Sequence, residues 1–242
     1  MDRRWQWGAA LALAGLLVAV APDVARAADD RLAARLSRLL QTGRKIVSDK
    51  QALINDPGKG NKGFTPQAFA DQVVADYAKA TGIDLRRPAG EDGKWLTLML
   101  EAQRETVADA QLIINTPNMG FKGFIPAVFV RKTAEKFMAQ SGLRMKYTAG
   151  DYRNARNAPD SFERKVLTLF ASSGYPKGKA YSELLEVDGK KVYRIMYPEY
   201  AVGSCLACHG RPRGARDITG GRKEGQKEGD LVGALSWTFP AR

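Results

Sequence analysis

Histidine occurs once in this chain of 242 residues, at position 209, and cysteine twice, at positions 205 and 208. The scarcity excludes several classes of site. Two histidines of one chain cannot hold a metal together, a third cysteine cannot act as a ligand, and a disulfide framework has nothing to build from. After the N-terminal segment no stretch approaches 18 apolar residues, so no later segment reads as a membrane span. Acidic residues are outnumbered, 26 Asp and Glu against 38 Lys and Arg, for a formal net charge of +12. The surplus is spread along the chain and not gathered in one basic helix, which reads as a solvated surface that attracts acidic groups. Nucleic acid is not expected as a partner. Gly-x-Ser-x-Gly, a phosphate loop and a second metal cluster are all missing, so catalytic machinery beyond one site is not evident.

What is there is compact. Both cysteines and the histidine fall in one run, Cys205-Leu206-Ala207-Cys208-His209. Cys-x-x-Cys-His is the attachment signature of a c-type haem. Two intervening residues let both sulfurs reach one edge of the macrocycle, and the next residue supplies an imidazole to the iron. The expectation is one haem c per chain, with thioethers at Cys205 and Cys208 and His209 as proximal ligand. A redox dithiol or another metal site is the competing reading. A disulfide across two intervening residues would close too small a loop to stabilise much.

The start of the chain reads as an export signal. Arg3 and Arg4 precede an apolar run from Gly8 to Ala21, and Ala25-Arg26-Ala27 has the small-x-small form of a cleavage site. Residues 1–27 are therefore expected to be removed, leaving a soluble periplasmic protein; an uncleaved N-terminal anchor is the alternative. Covalent haem attachment in bacteria takes place on that side of the membrane, so the two expectations support each other.

The first half contains a repeat. Ile54-Asn-Asp-Pro-Gly-Lys-Gly-Asn-Lys-Gly-Phe-Thr-Pro-Gln-Ala-Phe69 recurs as Ile114-Asn-Thr-Pro-Asn-Met-Gly-Phe-Lys-Gly-Phe-Ile-Pro-Ala-Val-Phe129, with nine of 16 positions identical. Arg31 to Ile54 and Trp95 to Ile114 read as amphipathic helices leading in. Pro66 to Thr81 and Pro126 to Ser141 read as helices leading out, with first-turn prolines and with Gly82 and Gly142 at their ends. Residues 28–145 thus form two helix–loop–helix units. In the second half, Asp160 caps a helix to Phe170, Asp188-Gly189 joins the strands Tyr181–Val187 and Lys190–Tyr197, and Leu231 to Phe239 is a closing strand. The class expected is α+β on an antiparallel sheet.

Four segments carry a family likeness: Tyr152-Arg-Asn-Ala-Arg-Asn-Ala-Pro-Asp-Ser-Phe-Glu163, Tyr193-Arg-Ile-Met-Tyr-Pro198, Cys205 to Gly210, and Glu228-Gly-Asp-Leu-Val-Gly-Ala-Leu-Ser236. They resemble the exported single-haem c-type domains of PAS-like fold, found alone or as sensor halves of signalling kinases. The resemblance implies a PAS-like haem domain over 115–242, overlapping the second repeat, with long N-terminal helices. It implies that Arg153, Asn154, Asn157 and Pro159 brace the loop over the haem pocket; Asn154 and Asn157 equally fit simple turn caps. Tyr197 lies in the segment leading to the cysteines, and Arg153 or Arg194 is a candidate partner of a propionate.

The sixth iron position stays open at this point. Some relatives place a cysteine there, which this chain lacks. Methionine is the next conventional ligand, among Met99, Met119, Met138, Met145 and Met196. Met119 draws notice because the first repeat has Lys59 at that place. Five-coordinate iron, a lysine such as Lys122, or a tyrosine are the alternatives. Redox or small-gas sensing, or electron transfer through one haem, is the expected function, with a redox partner or separate signalling protein and a homodimer among its expected associations. A haem enzyme, peroxidase-like or nitrogen-oxide-processing, is the alternative and would need distal acid–base groups.

Overall fold

A computed structural model describes residues 22–88 and 90–241; most of residues 1–27, expected to be an export signal, lies outside them. Helix α1 (Pro22–Asp49) opens the described chain. Leu32, Ala33, Leu36, Leu39, Leu40, Ile46 and Val47 are buried along it, at the three- and four-residue spacing of one helical face. Among the described residues no helix is long and apolar enough to cross a membrane.

The helical repeats form as expected at their second helices and differently at their first. α3 (Pro66–Thr81) and α6 (Pro126–Ser141) have the expected bounds. Thr65 Oγ1 accepts the Ala68 N–H at 3.1 Å, and Gly82 and Gly142 close the two helices with left-handed φ of 74° and 73°. The long first helices are each broken once. α1 stops before α2 (Gln51–Ile54), and α4 (Gly93–Asp109) stops before α5 (Gln111–Ile114). After each break a glutamine reaches the other repeat: Gln51 Nε2 donates to the Phe124 carbonyl and Gln111 Nε2 to the Phe64 carbonyl, both at 3.0 Å.

The loops then lock reciprocally. Asn115 Oδ1 accepts the Lys62 N–H at 3.0 Å, and Asn55 Oδ1 accepts the Lys122 N–H at 2.9 Å. The two buried ammonium groups turn back on their own loops, Lys62 Nζ to the Asp56 carbonyl at 2.6 Å and Lys122 Nζ to the Thr116 carbonyl. The shared Asn55 and Asn115, with the backbone amides of the shared lysines, therefore join one copy to the other.

The second half is a four-stranded antiparallel sheet in the order β1-β4-β3-β2. Its elements are β1 (Arg144–Thr148), helix α7 (Ser161–Ala171), β2 (Tyr181–Val187), β3 (Lys190–Tyr200), the short helix α8 (Leu206–His209) and β4 (Leu231–Pro240). Asp160 and Glu163 form a reciprocal capping box on α7. Strand β1 has no counterpart in the sequence reading. It pairs with β4 from Arg144 opposite Thr238 to Thr148 opposite Ala234. Arg144 and Lys146 disguise it, because Lys146 spends its charge on Glu163 of α7 at 2.7 Å.

Alternation along β3 separates two faces. Tyr193 and Ile195 join Leu36, Leu39, Tyr77, Met99, Phe129, Phe137, Leu235 and Trp237 in one core that runs from the helices into the sheet. Met196 faces the other way, onto Phe162, Val166 and Phe170 of α7. Trp237 is fully buried, meets Phe137 edge-on at 6.0 Å and donates its indole N–H to Ser37 Oγ at 2.8 Å.

Candidate haem site

Beyond β3 the chain coils into a 3-10 turn, Gly203–Cys205, that runs directly into α8. This winding sets Cys205, Cys208 and His209 at positions i, i+3 and i+4, on one side of a single turn. Both thiols are free and half-buried. Gly210 ends the turn with its N–H on the Leu206 carbonyl at 2.9 Å. A Cβ at that position would lie 2.5 Å from the same oxygen, so only glycine closes the turn without displacing it.

The returning chain then fixes the histidine. Gly225 and Gln226 donate their N–H groups to the His209 carbonyl at 3.1 and 2.9 Å. This zipper brings Glu224 Oε2 to 2.7 Å from His209 Nδ1. Burial alone would raise the Glu224 pKa, but hydrogen bonds from Arg153 and His209 hold it below the ordinary carboxylate value. An ionised carboxylate can only accept, so the hydrogen sits on Nδ1. Nε2 on the other side of the ring makes no hydrogen bond among the described residues, and with the hydrogen on Nδ1 it is the nitrogen placed to offer a lone pair.

Arg153 ties the arrangement together from the segment after β1. Its Nε meets Glu224 Oε1 at 2.6 Å, its Nη2 meets Glu224 Oε2 at 2.9 Å, and its Nη1 meets Asp217 Oδ2 at 2.5 Å. Nη2 also donates to the carbonyls of Cys208 at 2.9 Å and Arg222 at 3.0 Å. Gly221 leaves room for it, since a Cβ there would lie 2.6 Å from Nη1. Burial pushes Asp217 up, yet hydrogen bonds from Thr219 and Arg153 bring it down to about 2. Burial, and then the Asp217 charge, pushes the Cys208 thiol up.

Helix α1 supplies the neighbouring wall. Ser48 Oγ and Ser204 Oγ are 3.0 Å apart, one residue before Cys205. One turn earlier Arg44 Nη1 pairs with Glu199 Oε2 at 2.7 Å, Gln41 Nε2 donates to Glu199 Oε1 at 2.5 Å, and the Arg44 guanidinium lies 5.6 Å from the centre of the Tyr147 ring. Burial works against the Arg44 charge, but Tyr147, Glu199 and Cys205 hold its pKa above the ordinary value. Burial, opposed by Arg44, pushes the Tyr147 phenol up to about 12.

The other residues singled out from sequence lie elsewhere or act differently. Arg194 does not join this cluster. It faces α7, where it binds Asp160 Oδ2 at 2.7 Å, Glu163 Oε1 at 3.0 Å and Ser236 Oγ at 3.0 Å over the Phe162 ring. Tyr197 faces α1 and donates to the Asp30 carbonyl at 3.1 Å. Asn157 works through its backbone: its carbonyl accepts from the Ala149 N–H and Thr148 Oγ1. Asn154 Oδ1 caps the turn at the Arg156 N–H, 3.0 Å away. Met119 is part-exposed on the second repeat loop, where the neighbouring Asn118 N–H bonds the Pro57 carbonyl at 2.9 Å. Met99, Met145 and Met196 are core residues.

The family model for the Tll0287-like family matches residues 58–240. The chain belongs to the Tll0287-like family. A solved structure described as that of the cyanobacterial haem protein Tll0287 aligns with 22% identity and a TM-score of 0.44, over 64% of this chain and 98% of that one. No match was found among the curated proteins. The Tll0287-like model covers the second repeat, the whole sheet and the Cys205–His209 turn.

Sequence reasoning missed Glu224, Asp217 and the Arg44–Glu199 pair. A signal for the first two was present. From 211 to 227 the chain carries Arg211, Arg213, Arg216, Arg222, Lys223 and Lys227 but only Asp217 and Glu224 as acids. The acids are the two that fold inward onto Arg153, with side chains 0% and 14% exposed. Among the described residues no group of three or more His, Cys, Asp and Glu side chains is set to hold a metal ion.

Proposed function

We propose that this chain carries one covalently attached c-type haem, held by thioethers at Cys205 and Cys208 with His209 as the proximal iron ligand. The observation that carries the reading is the state of these three side chains. Two free thiols sit one helical turn apart, and the adjacent imidazole has Nδ1 engaged by Glu224 and Nε2 uncommitted. That donor set fits the group.

Cys205 and Cys208 would hold the group as thioethers, each formed by adding S–H across a vinyl double bond, which would consume no oxidant. His209 presents Nε2, Glu224 fixes the ring through Nδ1, and Arg153 holds Glu224 and the Cys208 carbonyl in register. When bound, the iron supplies one-electron redox chemistry or a site for a small gas. The reading therefore places the chain in redox or gas sensing or in electron transfer, on a PAS-like sheet, in an exported protein whose leader is residues 1–27.

The test is direct. Chain produced in a host that attaches c-type haem is expected to gain the mass of one haem and to keep it after denaturation. A Cys208→Ser variant that retains haem at full complement through denaturation defeats the attachment. Recovery of wild-type chain with two free thiols and no haem defeats the reading as a whole.

A further inference from the structure

Glu224 and Arg153 form a device that goes beyond holding a haem. Three observations converge on it. Glu224 Oε2 lies 2.7 Å from His209 Nδ1, on the side of the ring away from Nε2. Two arms of Arg153 grip both oxygens of that carboxylate, at 2.6 and 2.9 Å, while a third meets the buried Asp217. The backbone bonds from Gly225 and Gln226 to the His209 carbonyl leave Glu224 little freedom to swing away.

We infer that Glu224 is a positioning residue that lowers the midpoint potential of the iron by drawing on the Nδ1 hydrogen of His209, with Arg153 fixing the strength of that pull. The inference rests on the attachment reading above. A carboxylate hydrogen-bonded to the far nitrogen of a metal-bound imidazole raises the basicity of the ligating nitrogen. A stronger donor stabilises the more highly charged ferric iron, so the reduced form is disfavoured. A backbone carbonyl in the same place would exert a weaker pull, because it carries no net charge. Arg153 shares the carboxylate, so its presence keeps the effect below that of a free anion.

The experiment is potentiometric titration of haem-loaded full-length protein, with haem content of each variant read by mass beforehand. In Glu224→Gln, which keeps the side-chain shape and removes the charge, the equilibrium is expected to move toward the reduced form about tenfold or more, about 59 mV for one electron. Arg153→Gln is expected to move it the opposite way. Arg156→Gln removes a positive charge from the same segment, where the side chain is 70% exposed and pairs with Glu135, and is expected to move it far less than Arg153→Gln. Haem-replete Glu224→Gln with a wild-type potential overturns the inference. If Glu224→Gln fails to take up haem, Glu224→Asp, which keeps the charge and shortens the reach, serves in its place, and an unshifted potential there overturns it equally. Wild-type chain without haem is a failure of the attachment reading, and the mass shows it before any potential is measured.

Discussion

The two repeat loops and the Cys205–His209 turn are all short segments close to the end of α1 or to the α2 that follows it. Gln51 links α2 to the second repeat loop at the Phe124 carbonyl, and Ser48 links the end of α1 to Ser204. In the repeat loops the notable polar groups are spent. Asn55 and Asn115 bind opposing backbone amides, and Lys62 and Lys122 bind carbonyls of their own loops. In the turn the polar scaffold is equally well bonded, through Arg153, Asp217 and Glu224, but the three reactive groups it carries are left over: two thiols and one imidazole nitrogen. A segment that satisfies every group it offers is a joint. One that braces its frame and leaves donors uncommitted is a site.

Four measurements would break or sharpen that contrast. The largest effect is expected from Cys205→Ser with Cys208→Ser, which should abolish covalent haem entirely; haem surviving denaturation of the double variant would remove the turn from the category of sites. Next comes the joint. Lys122→Ala strips the Thr116 carbonyl of its side-chain donor and should lower the midpoint of urea unfolding, while covalent haem stays at wild-type stoichiometry. Loss of haem at unchanged stability would reverse the roles of the two regions.

The third measurement concerns acid. Asp217 is depressed from an ordinary 3.8 to about 2, so its contribution is complete above pH 4 and is lost as pH falls through about 2. Asp217 alone should therefore account for about 2 kcal/mol of the wild-type decline over that window. Asp217→Asn should be less stable at pH 5 and should show a flatter decline. An identical decline in both proteins would mean that the brace around the turn does not depend on this charge. The smallest effect is expected from Met119→Lys, which gives the second loop the residue of the first. At a part-exposed position it should change stability by less than about 0.5 kcal/mol and leave the ferric optical spectrum unaltered. A changed spectrum would bring that loop into the site.

Much of the scaffold was legible from residue order because local chemistry decides it. Thr65-Pro66, the paired glycines 82 and 142, the Asp160 cap and Asp188-Gly189 each act over a few residues, and each appears where expected. Strand β1 was hidden because its charged residues answer to partners outside the strand, as Lys146 does to Glu163. The helix breaks at Lys50 and Ala110 serve bonds to the other repeat, more than 45 residues distant in sequence. The site divides along the same line. Cys205, Cys208 and His209 fall within five residues, so their grouping is visible in the sequence; Glu224 is 15 residues from His209 and 71 from Arg153, and only the folded turn joins them. Arg194 misled for a related reason, since its neighbour Tyr193 faces the core with α1 while Arg194 itself faces α7.

Helix α1 makes polar contacts with β3 and the segment just after it at three stations. Near its start Asp30 receives the hydroxyls of Tyr193 and Tyr197, in its middle Gln41 and Arg44 hold Glu199, and near its end Ser48 meets Ser204. The outer stations are 18 residues apart, roughly 27 Å along a helix. A stiff rod pinned in this way cannot yield at one end alone. A shift of the cysteine-bearing turn that preserves the Ser48 contact has to be absorbed along the sheet or along the rod, up to the pair of tyrosine hydroxyls at Asp30.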